Sequence, residues 1–230
     1  MNIAWGITGA GHLLKETFTV MEAMSKENRI TAFLSKSGEE VVGTYGLLPR
    51  LNKICPGSYL EEIFTSKSEG RSSPSTGRFF LKRYGALVVS PATTNTVAKI
   101  ACGISDSLVT NAVSQAEKSM TKVYVCPVDR YAGENETTLP YHVDRDICKN
   151  CSKCPPVEIC DQNAFMDRRI DLLRCTACGN CAFVCEHGAV IKGKKATIKV
   201  RAIDAKNVGL LEDMEFIEVI DHPSDIKKLF

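Results

Sequence analysis

The chain has 230 residues, of which 44% are hydrophobic and 24% are charged, so it can bury a core as one large domain or as one domain with a small module. Its 29 Lys and Arg residues against 27 Asp and Glu residues leave a net charge of +2, which argues against a nucleic-acid-binding surface over the whole protein. The sequence has no apolar run near the roughly 18 residues of a membrane span and shows no signal peptide, so we expect a cytoplasmic protein without a membrane partner.

The first 140 residues alternate short apolar runs with helical patterns. Residues 13–24 carry apolar side chains spaced for one buried helix face, and a second helix is expected from about Glu39. The stretch 66–77, rich in Ser, Gly and Lys, is expected to be a mobile loop. Strands are expected at residues 3–5, 29–34, 86–89 and 123–125. This alternation predicts an α/β fold with a parallel sheet and helices on both faces.

Small and hydroxyl residues follow several of these strands. Gly9 and Gly11 follow the first strand, Ser35 and Ser37 follow the second, and residues 93–95 read Thr-Thr-Asn after a later one. Ligands of open parallel sheets bind outside the carboxyl ends of the strands, where helix N-termini present free N–H groups to phosphate. The pattern therefore favours a cofactor that carries a phosphate.

The stretch 90–108, SPATTNTVAKIACGISDSL, resembles the signature of the homo-oligomeric flavin-containing cysteine decarboxylase superfamily. The resemblance covers residues 1–140 and implies a Rossmann- or flavodoxin-like three-layer sandwich that binds FMN. Carried over residue by residue, it implies these FMN-binding positions: Thr8, Gly9, Ala10, Gly11, Ser35, Ser37, Ser90, Ala92, Thr93, Thr94, Asn95 and Asp106.

The decarboxylases of that superfamily carry a Pro-Ala-Met-Asn substrate motif, and this chain departs from it. Residues 126–129 read Cys-Pro-Val-Asp, which disfavours decarboxylation. This pattern and the ending 214–223 are similar instead to the archaeal flavoprotein and dihydromethanopterin reductase branch. No catalytic residue is assigned. Asp129 is either a substrate-orienting group or a turn residue, and His12 either faces the flavin or substrate or has a capping or surface role.

Eight of the eleven cysteines lie between Cys148 and Cys185, although structural thiols would be spread evenly. Without an oxidising compartment a disulfide framework is disfavoured, which leaves metal or cluster ligation. The second group has the spacing C-x2-C-x2-C-x3-C of bacterial-type ferredoxins, and the first group has x5 before its last cysteine. The two groups are Cys148, Cys151, Cys154 and Cys160, and Cys175, Cys178, Cys181 and Cys185.

The duplicated pattern resembles the small α+β bacterial-type ferredoxin module with two [4Fe-4S] clusters. In that fold the fourth cysteine of each run ligates the other cluster. The resemblance thus implies one cluster on Cys148, Cys151, Cys154 and Cys185, and another on Cys175, Cys178, Cys181 and Cys160. Two departures, the longer first loop and the lack of Pro after the fourth cysteines, remove no ligand. Structural zinc on two sets of four cysteines is the alternative, but zinc sites usually pair CxxC with CxxC.

These patterns divide the chain into three segments. Residues 1–140 are expected to form the FMN-binding domain, residues 141–195 an inserted ferredoxin domain, and residues 196–230 the return to the flavoprotein domain. The other cysteines, Cys55, Cys102 and Cys126, are expected to pack locally or in the core rather than to take part in chemistry.

The combination predicts an oxidoreductase, because clusters pass single electrons whereas flavin converts single electrons into hydride. The resemblance implies that reduced ferredoxin supplies electrons through the clusters and FMN to 7,8-dihydromethanopterin or dihydrosarcinapterin. The alternative is a general iron–sulfur flavoprotein that reduces a protein, disulfide or quinone. The resemblance also implies a trimer-based homo-oligomer, with a larger cage as a further option. The basic run of Lys192, Lys194, Lys195, Lys199 and Arg201 is either a solvated hairpin or a docking site for acidic ferredoxin.

Overall fold

The computed structural model describes all residues, 1–230. Its strands and helices follow in this order: β1 (Asn2–Ile7), α1 (Leu14–Met24), β2 (Arg29–Leu34), α2 (Lys36–Thr44), α3 (Leu48–Ile54), β3 (Ile63–Thr65), α4 (Ser66–Glu69), β4 (Ala86–Ala92), α5 (Thr94–Ala101), α6 (Leu108–Lys118), β5 (Lys122–Pro127), β6 (Gly133–Thr138), β7 (His142–Val143), α7 (Pro155–Glu158), β8 (Phe165–Met166), β9 (Arg169–Ile170), α8 (Asn180–Val184), β10 (Val190–Ile191), β11 (Lys195–Val200), α9 (Ala202–Glu212) and β12 (Ile217–Val219). Two 3₁₀ helices span Pro74–Phe79 and Pro223–Leu229. None of the helices has both the length and the apolar character of a membrane span.

The main sheet has six strands in the order β12-β5-β4-β1-β2-β3, and all neighbouring strands are parallel. This is the doubly wound order, and the chain reverses direction across the sheet between β1 and β4. Two buried apolar clusters of 20 residues each lie on the sheet and contain side chains from the flanking helices. The predicted α/β three-layer architecture is therefore confirmed.

Helix α2 begins three residues earlier than the sequence pattern predicts. The hydroxyl of Ser35 accepts the backbone N–H of Gly38 at 3.0 Å, so Ser35 is the N-cap and Lys36 is the first helical residue. A cap of this kind starts a helix before its apolar periodicity becomes visible. As a result, Ser37 lies in the first turn of α2.

The stretch 66–77 is not an irregular loop, so this expectation was wrong. It forms α4 and most of a 3₁₀ helix. Thr65 and Ser68 form a reciprocal capping box at the start of α4, and the carboxylate of Glu69 accepts hydrogen bonds from the backbone N–H and the hydroxyl of Ser75. Local side-chain caps thus organise a composition that is typical of loops.

A second, smaller unit is inserted between the fifth and sixth strands of the main sheet. Strand β6 leaves the sheet domain and pairs antiparallel with β11, from Gly133 opposite Val200 to Thr138 opposite Lys195. Between them lie the short pairs β7–β10 and β8–β9, helices α7 and α8, and a small core around Tyr141, Phe165 and Val190. The chain then returns through α9 to β12, which pairs with β5. The exact boundaries at 140 and 195 stay a prediction.

Candidate functional site

The carboxyl ends of β1 and β2 meet where α2 begins. A Cβ placed on Gly9 would lie 2.5 Å from the Cβ of Ser37, and a Cβ on Gly38 would lie 2.3 Å from the carbonyl oxygen of Ile7. Real Cβ atoms do not approach this closely, so both positions require glycine. The close approach brings the glycine loop against the N-terminus of α2, whose free N–H groups favour an anion.

Thr8 joins this loop to the end of β4. Its hydroxyl donates to the carbonyl of Pro91 at 2.7 Å and accepts the backbone N–H of Thr93 at 2.9 Å. The Thr93 hydroxyl in turn caps α5 by accepting the N–H of Thr96. Thr8 is itself buried, so it holds two ligand-facing loops together rather than offering its own hydroxyl to a ligand.

A polar cavity of about 320 Å³ opens at this edge, and none of its lining residues is hydrophobic. Five of the predicted FMN-binding residues line it, together with four residues that were not predicted from the sequence, among them the two cations Lys36 and Lys99. Lys99 follows Asn95 by one helical turn of α5, a spacing that could have pointed to it. The lining residues are Gly9, Ser35, Lys36, Ser37, Thr93, Asn95, Thr96, Lys99 and Ser107.

The other predicted FMN-binding residues do not line this cavity. Ser90 and Ala92 lie in the core, where the Ser90 hydroxyl is hydrogen-bonded to that of Thr17 at 2.8 Å. Asp106 binds the ammonium of Lys99 through both carboxylate oxygens, at 2.7 and 2.8 Å. The remaining ones, Ala10, Gly11 and Thr94, belong to the same loops but stand outside the cavity lining.

Asp129 follows β5 at the carboxyl side of the sheet. It is half-buried, and its Oδ1 atom is buried without a hydrogen-bond partner. Burial raises the pKa of this carboxyl, and the nearby Asp204 carboxylate raises it further, whereas His12, Asn135 and Arg201 act in the opposite direction. A buried carboxyl oxygen without a hydrogen-bond partner favours the neutral carboxylic acid, so Asp129 can hold a proton.

Four cysteines surround a cavity of about 370 Å³ in the inserted unit: Cys148, Cys151, Cys154 and Cys185. Cys185 reaches this cavity because helix α8 carries the chain across from Cys181, which lines a different cavity. This is the set of four that the ferredoxin resemblance implies for one cluster. We refer to this space as the first cysteine cavity.

The second cysteine cavity, of about 90 Å³, is lined by Cys160, Cys175, Cys178 and Cys181. Here α7 carries the chain across from Cys154 to Cys160. Burial, then the neighbouring Cys178 and Cys160, raise the pKa of the Cys175 thiol. The structure thus brings the eight cysteines together in the two predicted sets of four.

The donor set fits iron–sulfur clusters. No three His, Cys, Asp or Glu side chains converge as the ligands of one metal ion. The thiols instead surround two cavities, which suits a [4Fe-4S] group that takes one thiolate at each of four irons. The first cavity is the larger one, and its lining includes Pro155 and Pro156 from the longer loop.

Arg168 lies at the first cysteine cavity, in the turn between β8 and β9. Its Nη2 atom donates to the carbonyl of Arg145 at 3.0 Å and its Nε atom is buried without a partner. The backbone N–H of Asn150, and next the Arg168 guanidinium, lower the pKa of the Cys148 thiol. Arg168 therefore supplies positive charge where thiolates are expected.

The three cysteines outside the inserted unit differ from one another. Cys55 and Cys126 are buried, and burial raises the pKa of each thiol to about 12, which makes them unreactive. Cys102 was expected to be a small core residue, and this was wrong. It caps the C-terminus of α5, where the chain turns outward, and its side chain is exposed.

Two of the five basic residues near the end of the inserted unit, Lys195 and Arg201, are paired with carboxylates. Strand β6 places Glu134 opposite Lys199, and the carboxylate of Glu136 binds the ammonium of Lys195 at 2.6 Å. Arg201 binds Asp204 in the first turn of α9. The carboxylate that pairs with Lys195 comes from a distant strand and the one that pairs with Arg201 comes from α9, so neither lies inside the run in the sequence. The hairpin is therefore a weaker candidate for docking an acidic protein.

Comparison with known proteins adds family information. Residues 1–138 match the family described as Flavoprotein, and residues 168–191 match the 4Fe-4S binding domain. The chain is 46% identical over 236 residues to dihydromethanopterin reductase (acceptor) of Methanosarcina mazei, covering 99% of this chain and 98% of the relative. It is 45% identical over 237 residues to the protein of the same name from Methanocaldococcus jannaschii, covering 100% and 96%.

A solved structure with similar coverage is Burkholderia xenovorans DmrB in complex with FMN, described as a cubic protein cage for redox transfer. It has a TM-score of 0.63 and 25% sequence identity, and the match covers 99% of this chain and 91% of that one. The similarity therefore extends over the sheet domain and the inserted unit together.

Proposed function

Because the chain belongs to the Flavoprotein family, in its dihydromethanopterin reductase (acceptor) branch, we propose that it reduces 7,8-dihydromethanopterin or dihydrosarcinapterin to the tetrahydro form. The chain is an oxidoreductase, and the reaction places two electrons and two protons on a C=N bond to give a CH–NH group. The electrons come from reduced ferredoxin and pass through two [4Fe-4S] clusters to FMN.

The observation that carries the proposal is that one folded chain holds both kinds of site. Two cavities with four cysteines each suit carriers of single electrons, and the polar cavity at the sheet edge suits the phosphate of a flavin. When bound, FMN accepts electrons one at a time and delivers them in pairs as hydride. A pterin reductase fed by a one-electron donor needs this combination.

The chain's own groups have separate tasks in this proposal. Gly9 lets the backbone approach the phosphate, while Ser35 and Ser37 at the start of α2 and Thr93 at the start of α5 offer hydrogen-bond donors. Lys36 and Lys99 provide positive charge for the phosphate, and Asp106 orients Lys99.

Asp129 is the group that we propose to deliver a proton to the substrate, from its Oδ1 atom. This atom is buried and unpaired, and burial favours the protonated form of the carboxyl. Arg201 lies nearby but is bound to Asp204, so it does not hold Asp129 permanently in the ionised form.

The eight cysteines, divided between the two cavities, are proposed to hold the clusters. The 4Fe-4S domain match covers Cys175, Cys178, Cys181 and Cys185, and the geometry of the first cysteine cavity supports a second cluster. We also propose a cytoplasmic location, since thiolate ligands remain reduced there. A homo-oligomer is proposed, built from trimers and extending to a cage, which the cage form of the DmrB neighbour supports.

The test is an anaerobic assay of the purified protein, with its flavin and clusters bound, using dihydromethanopterin and reduced ferredoxin. We expect loss of the dihydropterin absorbance at a rate that depends on the ferredoxin concentration. If clusters and flavin are reduced but the dihydropterin persists, the proposal fails. Oxidation of the reduced protein by a disulfide, quinone or protein acceptor would then favour the general electron-transfer alternative. Light scattering of the same preparation measures the mass of the oligomer and so the number of its subunits.

A further inference from the structure

The C-terminal end of α2 contacts the inserted unit at a point that admits only glycine. Gly46 has φ +67°, and a Cβ there would lie 2.7 Å from the carbonyl oxygen of Thr176 and 3.3 Å from the Cβ of Ala177. A side chain would thus meet backbone that cannot swing away. Glycine is therefore required at position 46 by the contact with the inserted unit, in addition to its role in ending the helix.

The two preceding residues bind the same unit. The Thr44 hydroxyl donates to the carbonyl of Leu172 at 3.0 Å, and the Tyr45 hydroxyl donates to the carbonyl of Thr138 at 2.7 Å. Three consecutive residues therefore hold the inserted unit at three separate places along the chain. Each contact is to a backbone atom, so together they define the position of that backbone and not merely of flexible side chains.

Tyr45 also touches the glycine loop of the sheet domain. A Cβ on Gly11 would lie 2.3 Å from the Tyr45 hydroxyl oxygen. The phenol therefore lies between the loop after β1 and the start of the inserted unit. The half-buried environment raises the pKa of Tyr45, so the hydroxyl remains a hydrogen-bond donor at neutral pH.

Helix α2 thus connects the two kinds of site within one chain. Its N-terminal residues Ser35, Lys36 and Ser37 line the polar cavity, and its C-terminal end contacts residues 172–177, among which Cys175 lines the second cysteine cavity. The helix has nine residues, which corresponds to roughly 13 Å at 1.5 Å per residue. Electron transfer slows steeply with distance, so its rate between the two kinds of site depends on how firmly α2 holds the inserted unit in place.

The first cysteine cavity has a different surrounding. Exposed Lys149 and Lys153, together with Arg168, line it against the acidic Asp167 and Glu186. This rim is open to solvent and carries more basic than acidic groups, which suits contact with an acidic one-electron donor. The first cysteine cavity therefore faces solvent, whereas the loop that lines the second cavity contacts α2.

On the basis of the proposed function, we infer that electrons enter at the first cluster and reach FMN from the second cluster of the same chain, with Gly46 as the positioning residue. Each of two reduced ferredoxin molecules is oxidised by one electron. The clusters would be reduced and reoxidised in turn, and FMN would take up two electrons with two protons, pass a hydride to the substrate and release the remaining proton to solvent. The proton that the substrate takes up would come from Asp129, which is then protonated again from solvent. No other reductant is needed.

The test is Gly46→Ala in the protein with both cofactors bound, mixed anaerobically with reduced ferredoxin and followed by stopped-flow absorbance. We expect cluster reduction at the wild-type rate, flavin reduction slower by about tenfold or more, and unchanged cluster midpoint potentials and FMN affinity. A merely structural defect would affect both reduction steps or the cofactor content. Faster hydrogen–deuterium exchange at residues 172–177 would accompany the displaced loop.

Gly103→Ala is the matched control. Gly103 follows the C-cap of α5 as Gly46 follows that of α2, it has φ +69°, and a Cβ added to it would have no atom within 4 Å. It therefore carries the same backbone strain without the contact, and we expect wild-type flavin reduction. Thr44→Val serves if Gly46→Ala does not fold, since it removes the hydrogen bond to Leu172, together with the one within α2 to Glu40, without adding bulk in the turn. It should slow flavin reduction severalfold.

Mixed oligomers of Cys178→Ser and Gly9→Ala chains distinguish transfer within a chain from transfer between subunits. The Cys178→Ser chain is expected to lack the second cluster, and the Gly9→Ala chain, with its weaker FMN affinity, is left without flavin at a limiting FMN concentration. Transfer within a chain then predicts no recovery of ferredoxin-driven flavin reduction. Recovery, or wild-type flavin reduction in Gly46→Ala, would overturn the inference while leaving the proposed function intact. If wild-type clusters are reduced without any flavin reduction, the proposed function itself fails.

Discussion

Cys160 lies with Cys175 at the second cysteine cavity, although Cys160 closes the first cysteine group in the sequence. The proximity also affects ionisation: after burial and Cys178, Cys160 contributes to the raised pKa of the Cys175 thiol. Each half of the inserted unit thus completes the ligand set of the other. Loss of one cysteine should remove one cluster and weaken the packing of both halves.

Cys178→Ser should remove the second cluster and leave the first. Iron content should fall from about eight to about four atoms per chain, while FMN stays bound because the polar cavity is untouched. Iron analysis with flavin absorbance checks this. Cys102→Ser is the control, since Cys102 is exposed and outside both cavities and its loss should change neither quantity. Full iron content in Cys178→Ser would contradict the assignment of the second cluster.

Gly9→Ala should weaken FMN binding by about tenfold or more, equivalent to about 1.4 kcal/mol. The added Cβ would meet Ser37 at 2.5 Å and push the glycine loop away from the N-terminus of α2. Titration of the apoprotein with FMN, followed by flavin fluorescence, measures the change. Gly77→Ala, with open space around the new Cβ, should bind FMN as the wild type does. Equal FMN affinity of the two variants would contradict the assignment of the FMN phosphate to the polar cavity.

Arg168→Gln should lower the reduction potential of the first cluster, on the order of 50 mV, because a nearby positive charge favours the reduced, more negative cluster. The second cluster should keep its potential, since Arg168 lines only the first cavity. Redox titration followed by electron paramagnetic resonance separates the two. Arg169→Gln removes the same charge from an exposed neighbour that does not line the cavity, and should shift neither potential.

Asp129→Asn should raise the free energy of unfolding by about 1 kcal/mol at neutral pH, because it replaces a half-buried carboxylate that has an unpaired oxygen. The pKa of Asp129 is raised in the folded protein, so the folded state binds more protons than the unfolded state. The stability that Asp129 contributes in the wild type is therefore fully present below the pKa of Asp129 in the unfolded state. It is lost as the pH rises through the pKa of Asp129 in the folded state.

Denaturant unfolding between about pH 2 and pH 8 measures this dependence, because that range extends to both sides of the reference Asp pKa of about 3.9. The advantage of Asp129→Asn should vanish at the acidic end. Asp225→Asn should show the reverse dependence, since Lys228 lowers the pKa of Asp225. A constant difference between Asp129→Asn and wild type at all pH values would rule out the carboxyl as its origin.

The same Asp129→Asn variant should reduce pterin turnover about a hundredfold if Asp129 delivers the proton. FMN and iron contents should stay at wild-type levels, because Asp129 lines neither the polar cavity nor the cysteine cavities. A more stable protein with lower turnover is an outcome that damage to the fold cannot produce. Unchanged turnover would mean that Asp129 only orients the turn after β5.

Elements marked by local periodicity were predictable from the sequence. The strand at residues 29–34 and the helix with Phe18 and Met21 on its buried face stand where the pattern placed them. The stretch 66–77 was not predictable in this way, since caps formed by Thr65 and Glu69 outweigh a loop-like composition. Short polar helices depend on single hydrogen bonds rather than on apolar periodicity.

The α/β order and the two groups of cysteines could be predicted from the sequence, because strand alternation and ligand spacing are properties of neighbouring residues. Which residues face the polar cavity depends on the tertiary structure. All seven residues of β4 are buried, so no periodicity in the sequence marks Ser90 as a core residue. Lys36 and Lys99 line the same cavity only because the starts of α2 and α5 meet in the fold. The contact of Gly46 with Thr176 likewise joins positions far apart in the chain, and only packing of the inserted unit against α2 creates it.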